Sequence, residues 1–338
     1  MKRTRILIIS NPQDEHTKRV YTKLTELAAE PILFFPEELG QGVSLSMSTS
    51  DKDTVFSQSL LVQAKQFSLD TISSVWYRRP KLVSLNEYNL STEGLDFARD
   101  EWRATLESVY ALLDHCLWVS HPDNLRKAAR KPIQLLLAKQ LGFAIPRTLI
   151  TNNPNDAKAF VDLCDGKVIV KASGSGWVYS PDGKEVTYVL TNRLQATDVQ
   201  HIGEIQCSPV VFQEEVPKAY EIRVNVIGQK VLAIKIDSQR SEISQVDWRR
   251  YDVEKTPYTA YQLPLIIEQK CLKLTQSLGL EFSALDLICR PDGEYVFLET
   301  NGNGQFLWAE ELSGVAVSEA LAFLLAGISP SLREAYFI

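Results

Sequence analysis

Apolar positions along this chain follow two periods, and the switch between them outlines its first third. Ile6 to Ser10 is a short apolar run that predicts a strand, and Asp14 to Ala29 carries apolar residues at helical spacing. Pro31 to Phe35 predicts a second strand, and Val75-Trp76-Tyr77 ends a further one. Glu93 to Asp114 reads as a long helix that starts after a Ser91/Thr92 cap. This alternation of strand and helix predicts an open, mostly parallel sheet. Between these elements, from about Leu39 to Gln58, the alternation Val43-Ser44-Leu45-Ser46-Met47-Ser48 suits a hairpin with one face in solvent.

From about Trp118 to Cys207 the pattern changes to a smaller α+β unit. It predicts a helix over Asn124 to Leu141 closed by Gly142, a strand at Arg147 to Ile150, and a helix over Pro154 to Leu163. Two strands follow, Lys167 to Ala172 and Glu185 to Thr191, then a helix over Gln195 to His201. The loop Ala172-Ser173-Gly174-Ser175-Gly176-Trp177 is built of small residues and is free to move. A third, mainly antiparallel unit starts near Pro209. It holds strands at Val210 to Glu215, Tyr220 to Ile227 and Lys230 to Asp237, a helix over Leu265 to Leu278, and a late hairpin. The fold class expected is α/β (α+β) in three domains, 1–117, 118–207 and 208–338, the last ending in two helical segments after Phe306.

Composition narrows the classes of function. With 338 residues, 45% of them apolar, the chain can bury more than one core. Thirty-six basic against 42 acidic residues give −6, so no global positive field points to nucleic acid. No apolar run approaches the roughly 18 residues of a membrane span, and Ile6-Leu7-Ile8-Ile9 is too short for a signal-peptide core. Five scattered cysteines and four scattered histidines, with no Cys-x-x-Cys pair, argue against zinc and suit a reduced, cytoplasmic protein with cysteines as small core residues.

The late hairpin carries the most chemistry. Ala284 to Ile288, a Pro291-Asp292-Gly293 turn, and Val296 to Asn303 set Asp286, Glu299 and Asn301 into otherwise apolar strands. A buried carboxylate there costs several kcal/mol unless paired or bound to metal. Glu299 and Asn301 are two apart and share a face, with Asp286 able to lie opposite. Three hard oxygen donors on one face suit Mg²⁺, which takes few protein ligands and completes its shell with water and phosphate. The plainer alternative is a polar hairpin of salt-bridged carboxylates.

Other residues suit a nucleotide. Lys171 ends the strand Val168-Ile169-Val170-Lys171 just before the Gly/Ser loop, where backbone N–H groups can approach phosphate oxygens. Lys131 on the preceding helix can add a second cation. Val211-Phe212-Gln213-Glu214-Glu215-Val216, read as an edge strand, can meet a purine through its backbone. Glu221 can accept from ribose hydroxyls and Arg223, on the same strand face, can meet a terminal phosphate. The alternative for those two is a cross-face ion pair. Lys235 is expected to face the same cleft. Asp247 and Arg249 flank Trp248 and are read either as groups that position the acceptor, with Asp247 a base, or as an Asp–Arg pair on the indole. Arg78 and Arg79 either recognise carboxylates or anchor the strand end before Pro80, and Trp76 and Tyr77 read as core.

Lys131, Lys171, the Gly/Ser loop, Gln213 to Val216, Glu221, Arg223, Asp286, Glu299 and Asn301 resemble, in order and spacing, the pattern of the ATP-grasp ligases over about residues 120 to 325. That resemblance implies that Lys131, Lys171, Ser173, Gly174, Ser175 and Gly176 bind phosphates and that Gln213, Glu214, Glu215 and Val216 hold adenine. It gives Glu221 the ribose, and assigns two Mg²⁺ ions to Asp286, Glu299 and Asn301. Arg223 would stabilise the transferring phosphoryl group.

Val75 to Pro80, Glu221-Ile222-Arg223-Val224, Ser238-Gln239 with Asp247-Trp248-Arg249, and Asn301 to Trp308 further resemble the microviridin-type (graspetide) peptide maturases, over nearly the whole chain. Leu39 to Gln66 departs from that pattern. The resemblance implies a cytoplasmic, ATP-dependent macrocyclase. It would join Asp or Glu side chains of a ribosomal precursor, with a leader and an acidic, Ser/Thr-rich core, to Ser/Thr hydroxyls or a Lys amine through an acyl phosphate. It also implies that the leader docks near Glu185 to Thr191 or Gln195 to His201, and it allows a homodimer. Nucleic acid and membrane partners are not expected. Two other readings are a carboxylate–amine ligase that uses a free amino acid, and a nucleotide-binding protein that holds a peptide without turnover.

Overall fold

A computed structural model describes residues 4–50, 56–174, 176–180, 186–250 and 252–328. The N-terminal unit begins with β1 (Arg5–Ile9), α1 (Glu15–Glu26) and β2 (Glu30–Phe34). Asp14 caps α1 by accepting from the Thr17 amide at 3.0 Å. Next come β3 (Ser44–Ser48), β4 (Ser57–Val62) and β5 (Lys65–Ser68), an antiparallel three-stranded sheet. The expected hairpin is therefore real but larger: its second strand starts at Ser57, near the end of the stretch read from sequence, and a third strand follows. Then follow β6 (Ser74–Tyr77), α2 (Thr92–Leu112) capped by Ser91, and β7 (Leu117–Val119). Strand order β2-β1-β6-β7, all parallel, matches the sheet expected from the βαβ pattern.

The long helix expected from Asn124 to Leu141 is two helices, α3 (Pro122–Ala128) and α4 (Lys131–Gln140). Pro132 explains the break. Its ring disfavours helical backbone at the residue before it and it lacks an N–H, so it fits only a helix's first turn. Lys131 thereby opens a helix rather than riding in the middle of one. Both helices pack on the C-terminal core: Ala128, Ala138 and Phe143 share a cluster with Ile222, Leu274 and Phe297.

The central unit holds β8 (Thr148–Thr151), α5 (Pro154–Leu163) and β9 (Val168–Lys171). It continues with β10 (Trp177–Tyr179), β11 (Val186–Tyr188), β12 (Asn192–Arg193), α6 (Ala196–Gln200) and β13 (Val210–Glu214). Its main sheet has the order β12-β9-β13-β8. Two expectations change here. β13, grouped from sequence with the third unit and read as an edge strand, lies between β9 and β8 in the central sheet. The Gly/Ser loop leads not straight to the strand expected at Glu185 to Thr191 but to an additional short one, β10. β11 folds back on β10 as a separate hairpin, and β9 pairs with β12.

The last unit is a five-stranded antiparallel sheet, order β16-β15-β14-β17-β18, in which β14 spans Tyr220–Ile227, β15 Lys230–Ile236, β16 Tyr258–Tyr261, β17 Phe282–Cys289 and β18 Tyr295–Asn301. β16, rich in Tyr and Thr with two exposed central residues, escaped the sequence reading. One face of this sheet is covered by α7 (Leu265–Ser277). The other looks partly into a cavity and partly onto α8 (Leu307–Ser313) and α9 (Val317–Ala326). Ile6, Ile8, Trp76, Ile227, Phe282, Phe306 and Leu321 form one cluster, so the first and last units share a core. Trp76 is core as expected. Four of the cysteines are buried and free, whereas Cys207 is exposed, contrary to the reading of all five as core. Among the described residues no helix is long and apolar enough to cross a membrane.

Candidate active site

A cavity of about 660 Å³ opens where the three units meet. Its floor is β14, β17 and β18. The β14–β17 register sets Arg223 opposite Asp286, and the β17–β18 register sets Asp286 opposite Glu299. The second register contains a bulge. Leu287 pairs with Phe297, yet the next residue back, Asp286, pairs with Glu299, so Leu298 is an extra residue. Phe297 therefore points into the core beneath α7, while Glu299, two residues on, joins Leu298 and Asn301 at the cavity.

Asp286, Glu299 and Asn301, the expected metal donors, all line the cavity, as do Lys131, Lys171, Glu221 and Arg223. Lys131 Nζ donates to Glu299 Oε2 at 2.7 Å. Arg223 Nη1 donates to both Asp286 oxygens, at 2.9 and 2.8 Å, and Nη2 to the Gln305 carbonyl at 3.0 Å. Burial works to raise the Glu299 carboxyl, but the ammoniums of Lys131 and Lys171 prevail and hold it at about 2. Burial raises Asp286, Arg223 opposing and the Glu299 charge assisting. Lys171, pushed down chiefly by burial, donates to Gln213 Oε1 at 2.9 Å, and Gln213 donates on to Thr148 Oγ1 at 2.8 Å.

Two carboxylates and an amide on one face are a hard-oxygen set, and among the described residues no group of three or more His, Cys, Asp or Glu is placed to hold a metal ion. They fit a cation such as Mg²⁺ that leaves positions for phosphate and water, and the surrounding ammoniums and guanidinium fit phosphate.

The remaining predicted residues divide. Glu214, Glu215 and Val216 line the cavity. The side chains of the first two are drawn into pairs with Arg147 at 3.2 Å and Arg193 at 2.7 Å. Because β13 is an inner strand, its ladder consumes the backbone through Glu214, and the Glu215 amide donates to the Lys167 carbonyl at 2.9 Å, leaving the Glu215 carbonyl and the Val216 amide to present main chain to a ligand. Gln213, at 1% exposure, works through Lys171. Glu221 pairs with Lys218 at 2.7 Å rather than with Arg223, so the cross-face ion pair considered from sequence does not form. Burial raises the Glu221 carboxyl against the pull of Lys218. Gly174 and Gly176 line the cavity and Ser173 is exposed, while Ser175 lies outside the described residues.

Lys235 does not face the cleft. It pairs in register with Ile222, whose side chain belongs to the core under α7, while Glu221 and Arg223 alternate to the cavity side. Its ammonium meets Asp237 at 2.8 Å and lies 4.6 Å from the Tyr220 ring.

Asp247 and Arg249 line the cavity as a two-bond pair, Nε to Oδ1 at 2.8 Å and Nη2 to Oδ2 at 2.6 Å. Asp247 also accepts from the Thr191 amide at 3.2 Å, and Arg249 donates to Tyr188 Oη at 3.1 Å. Burial would raise Asp247, but Arg249 outweighs it and the carboxyl sits below its ordinary range, which makes it a poor base. Arg249 lies over the Tyr188 ring at 5.8 Å, while Trp248 stacks on Trp308 at 4.4 Å. The pair is thus the Asp–Arg alternative, on a different ring from the one expected.

Arg78 and Arg79 both donate to the Asn303 carbonyl, Arg79 from Nη2 at 3.0 Å, but they differ in exposure. Arg79 lines the cavity. Arg78 is 1% exposed and braces the molecule, its Nη1 donating to the carbonyls of Asn303 at 2.6 Å and Gly304 at 3.3 Å and its Nε facing Asp14 at 3.3 Å. Burial lowers the Arg78 guanidinium to about 10 despite the Asp14 charge.

Several residues that position the site escaped sequence reading. Gln134 clamps β18 by donating to the Thr300 carbonyl at 2.8 Å and accepting from its amide at 3.0 Å, one helical turn beyond Lys131. Its place at i+3 from a candidate cation is the only signal the sequence offered. Gly304 is required by space: a Cβ there would stand 2.4 Å from Ala284 Cβ and 2.8 Å from Arg223 Nη2. Lys218, which pairs with Glu221, had no signal at all.

Residues 5–126 match the family described as the MvdD pre-ATP grasp domain. A RiPP-associated ATP-grasp ligase from Chryseobacterium gregarium, in complex with ADP and a leader and core peptide, matches with a TM-score of 0.87. It is 29% identical over 99% of this chain and 100% of that one. The fold is that of the ATP-grasp ligases. The resemblance to the microviridin-type branch extends to two macrocyclases of Microcystis aeruginosa MRC. MdnC, bound with precursor peptide MdnA, matches with a TM-score of 0.82 at 25% identity over 96% of this chain and 100% of that one. MdnB matches with a TM-score of 0.77 at 27% identity over 95% and 99%. No curated protein matches the sequence.

Proposed function

We propose that the chain is an ATP-dependent ligase that macrocyclises a ribosomal precursor peptide. The observation that carries this reading is the convergence of Asp286, Glu299 and Asn301 with Lys131, Lys171 and Arg223 on one cavity at the junction of the three units. The C. gregarium ligase with its ADP and its leader and core peptides, and MdnC with its precursor, support it by likeness.

A carboxylate is a poor electrophile and its oxygen a poor leaving group. In the proposed reaction the γ-phosphoryl of ATP passes to an Asp or Glu side chain of the peptide, giving ADP and an acyl phosphate. A Ser/Thr hydroxyl or Lys amine then attacks the acyl carbon, loses its proton, and expels phosphate. Lys131 and Lys171 bind the phosphates, the Glu215–Val216 backbone meets adenine, and Glu221 receives the ribose. Arg223 orients the moving phosphoryl group and offsets its spreading charge. Mg²⁺, two ions in this reading, would be held by Asp286, Glu299 and Asn301 and supply Lewis-acid neutralisation of phosphate oxygens. Arg79 is assigned to the acidic core of the peptide, and Arg249, held by Asp247, to positioning the β10–β11 hairpin over it. The hairpin of β10 and β11, with exposed Val178, Val186 and Val189, supports leader docking there.

Intact-mass analysis after incubation with ATP, Mg²⁺ and a leader-bearing acidic peptide tests this reading. Loss of one water mass per link, dependent on the leader, is expected. ADP release stimulated only by free amino acids would favour a carboxylate–amine ligase, and nucleotide binding with no mass change a non-catalytic binder.

A further inference from the structure

The transferring arginine is held at two points, and the second leads back to the first helix. Arg223 Nη1 is engaged by both oxygens of Asp286, which leaves the guanidinium able to swing about that contact. What stops the swing is the single bond from Nη2 to the Gln305 carbonyl at 3.0 Å. Gln305 sits in the turn between β18 and α8, so its carbonyl stays in place only if that turn does.

The N-terminal unit grips the turn on both sides of Gln305. Arg78 takes the carbonyls of Asn303 and Gly304 before it. After it, His16 Nε2 accepts from the Phe306 amide at 3.1 Å and the Leu307 amide at 3.4 Å. An imidazole nitrogen that accepts carries no proton, so the ring proton is on Nδ1, which faces Asp14 Oδ1 at 3.4 Å. Asp14 also meets Arg78 Nε, closing a chain Arg78–Asp14–His16 around the turn. The His16 ring stands edge-on to Phe306 at 4.6 Å, which fixes its plane.

We propose that His16 is a positioning residue for Arg223, acting through the Gln305–Leu307 main chain. The inference rests on the assignment of Arg223 to the transferred phosphoryl group. Nothing in it requires His16 to touch substrate. Loss of the imidazole frees two amides, lets the Gln305 carbonyl drift, and gives Arg223 back its swing. A shift on the order of 1 Å in such a group costs ten- to a hundredfold in rate.

Three proteins decide it: wild type, His16→Ala and His16→Gln, the last keeping an acceptor for the amides. Steady-state ADP release with precursor peptide gives kcat and KM, and hydrogen exchange follows the 302–308 segment. His16→Ala should lower kcat about tenfold or more with KM for ATP changed less than about twofold, and speed exchange across 302–308. His16→Gln should recover kcat to within about threefold of wild type. An unchanged kcat in His16→Ala, a rise confined to KM, or no recovery in His16→Gln would overturn the proposal. If wild type released no ADP with any peptide, the proposed function would fail, and the exchange data would still show whether His16 holds the turn. A His16→Ala variant that does not fold leaves the decision to His16→Gln, whose kcat must then stay within about threefold while exchange remains slow.

Discussion

The β14–β18 sheet and the β10–β11 hairpin border the same cavity and are built in opposite ways. The sheet sets Arg223, Asp286 and Glu299 by backbone register, with Arg223 at 4% exposure and Leu285, Leu287 and Phe297 packed beneath it. The hairpin pairs three residues with three, and its Val178, Val186 and Tyr188 are exposed. Register plus an underlying core gives a fixed array of donors. A short hairpin with exposed apolar side chains has, among the described residues, no such core beneath it to fix its place. What ties the two together is Arg249 and Asp247, which reach Tyr188 and Thr191 from the last unit.

The largest effects should come from breaking the sheet's array. Glu299→Gln or Asp286→Asn should lower turnover by about a thousandfold or more while circular dichroism stays native, because the charges that would meet cation and phosphate are gone. Near-native peptide dehydration by either variant would remove these residues from the reaction. Cutting the tie comes next. Arg249→Ala leaves Asp247 buried without its partner, a loss of about 3 kcal/mol, and should make the 172–191 segment the first site of limited proteolysis. Lys171→Ala touches only the phosphate end and should weaken ADP about tenfold, or ~1.4 kcal/mol, by calorimetry.

Acid sharpens the contrast further. Glu299 folds with its pKa drawn from 4.5 down to about 2, so its contribution to stability is present above pH 4.5 and lost as pH falls towards 2. The melting temperatures of wild type and Glu299→Gln should converge across that window. The smallest effect is expected in the Gly/Ser loop at Gly174, where an added Cβ meets nothing within 4 Å among the described residues, so Gly174→Ala should change stability by less than about 0.5 kcal/mol.

What could be read from sequence follows the same division. The sheet's donors were legible because a carboxylate set into an apolar strand, as at Asp286 and Glu299, must meet a cation or a partner to be stable there. Helix starts were legible where a cap marked them, as at Ser91, or where a proline opens the first turn, as at Pro154. The expectation for Lys235 fails because alternation within one strand says nothing about which face points at a cleft; the register with Ile222 decides that. β13 looked like an edge because pairing with β8, some sixty residues upstream, leaves no local trace. The helical pattern from Asn124 to Leu141 runs through Pro132, although the proline itself marks the break. His16 and Gln134 act through main-chain atoms of distant segments, which sequence pattern cannot encode.

The bulge at Leu298 has a consequence for how this site tolerates change. Side-chain direction in β18 is set by counting residues from the hairpin turn, and the count gains one at Leu298. Swapping Leu298 for another apolar residue alters only a wall of the cavity. Removing or adding one residue between Phe297 and Glu299 resets the phase of all that follows and threatens to aim the carboxylate at α7. Insertions and deletions, not substitutions, are the changes this stretch can least absorb.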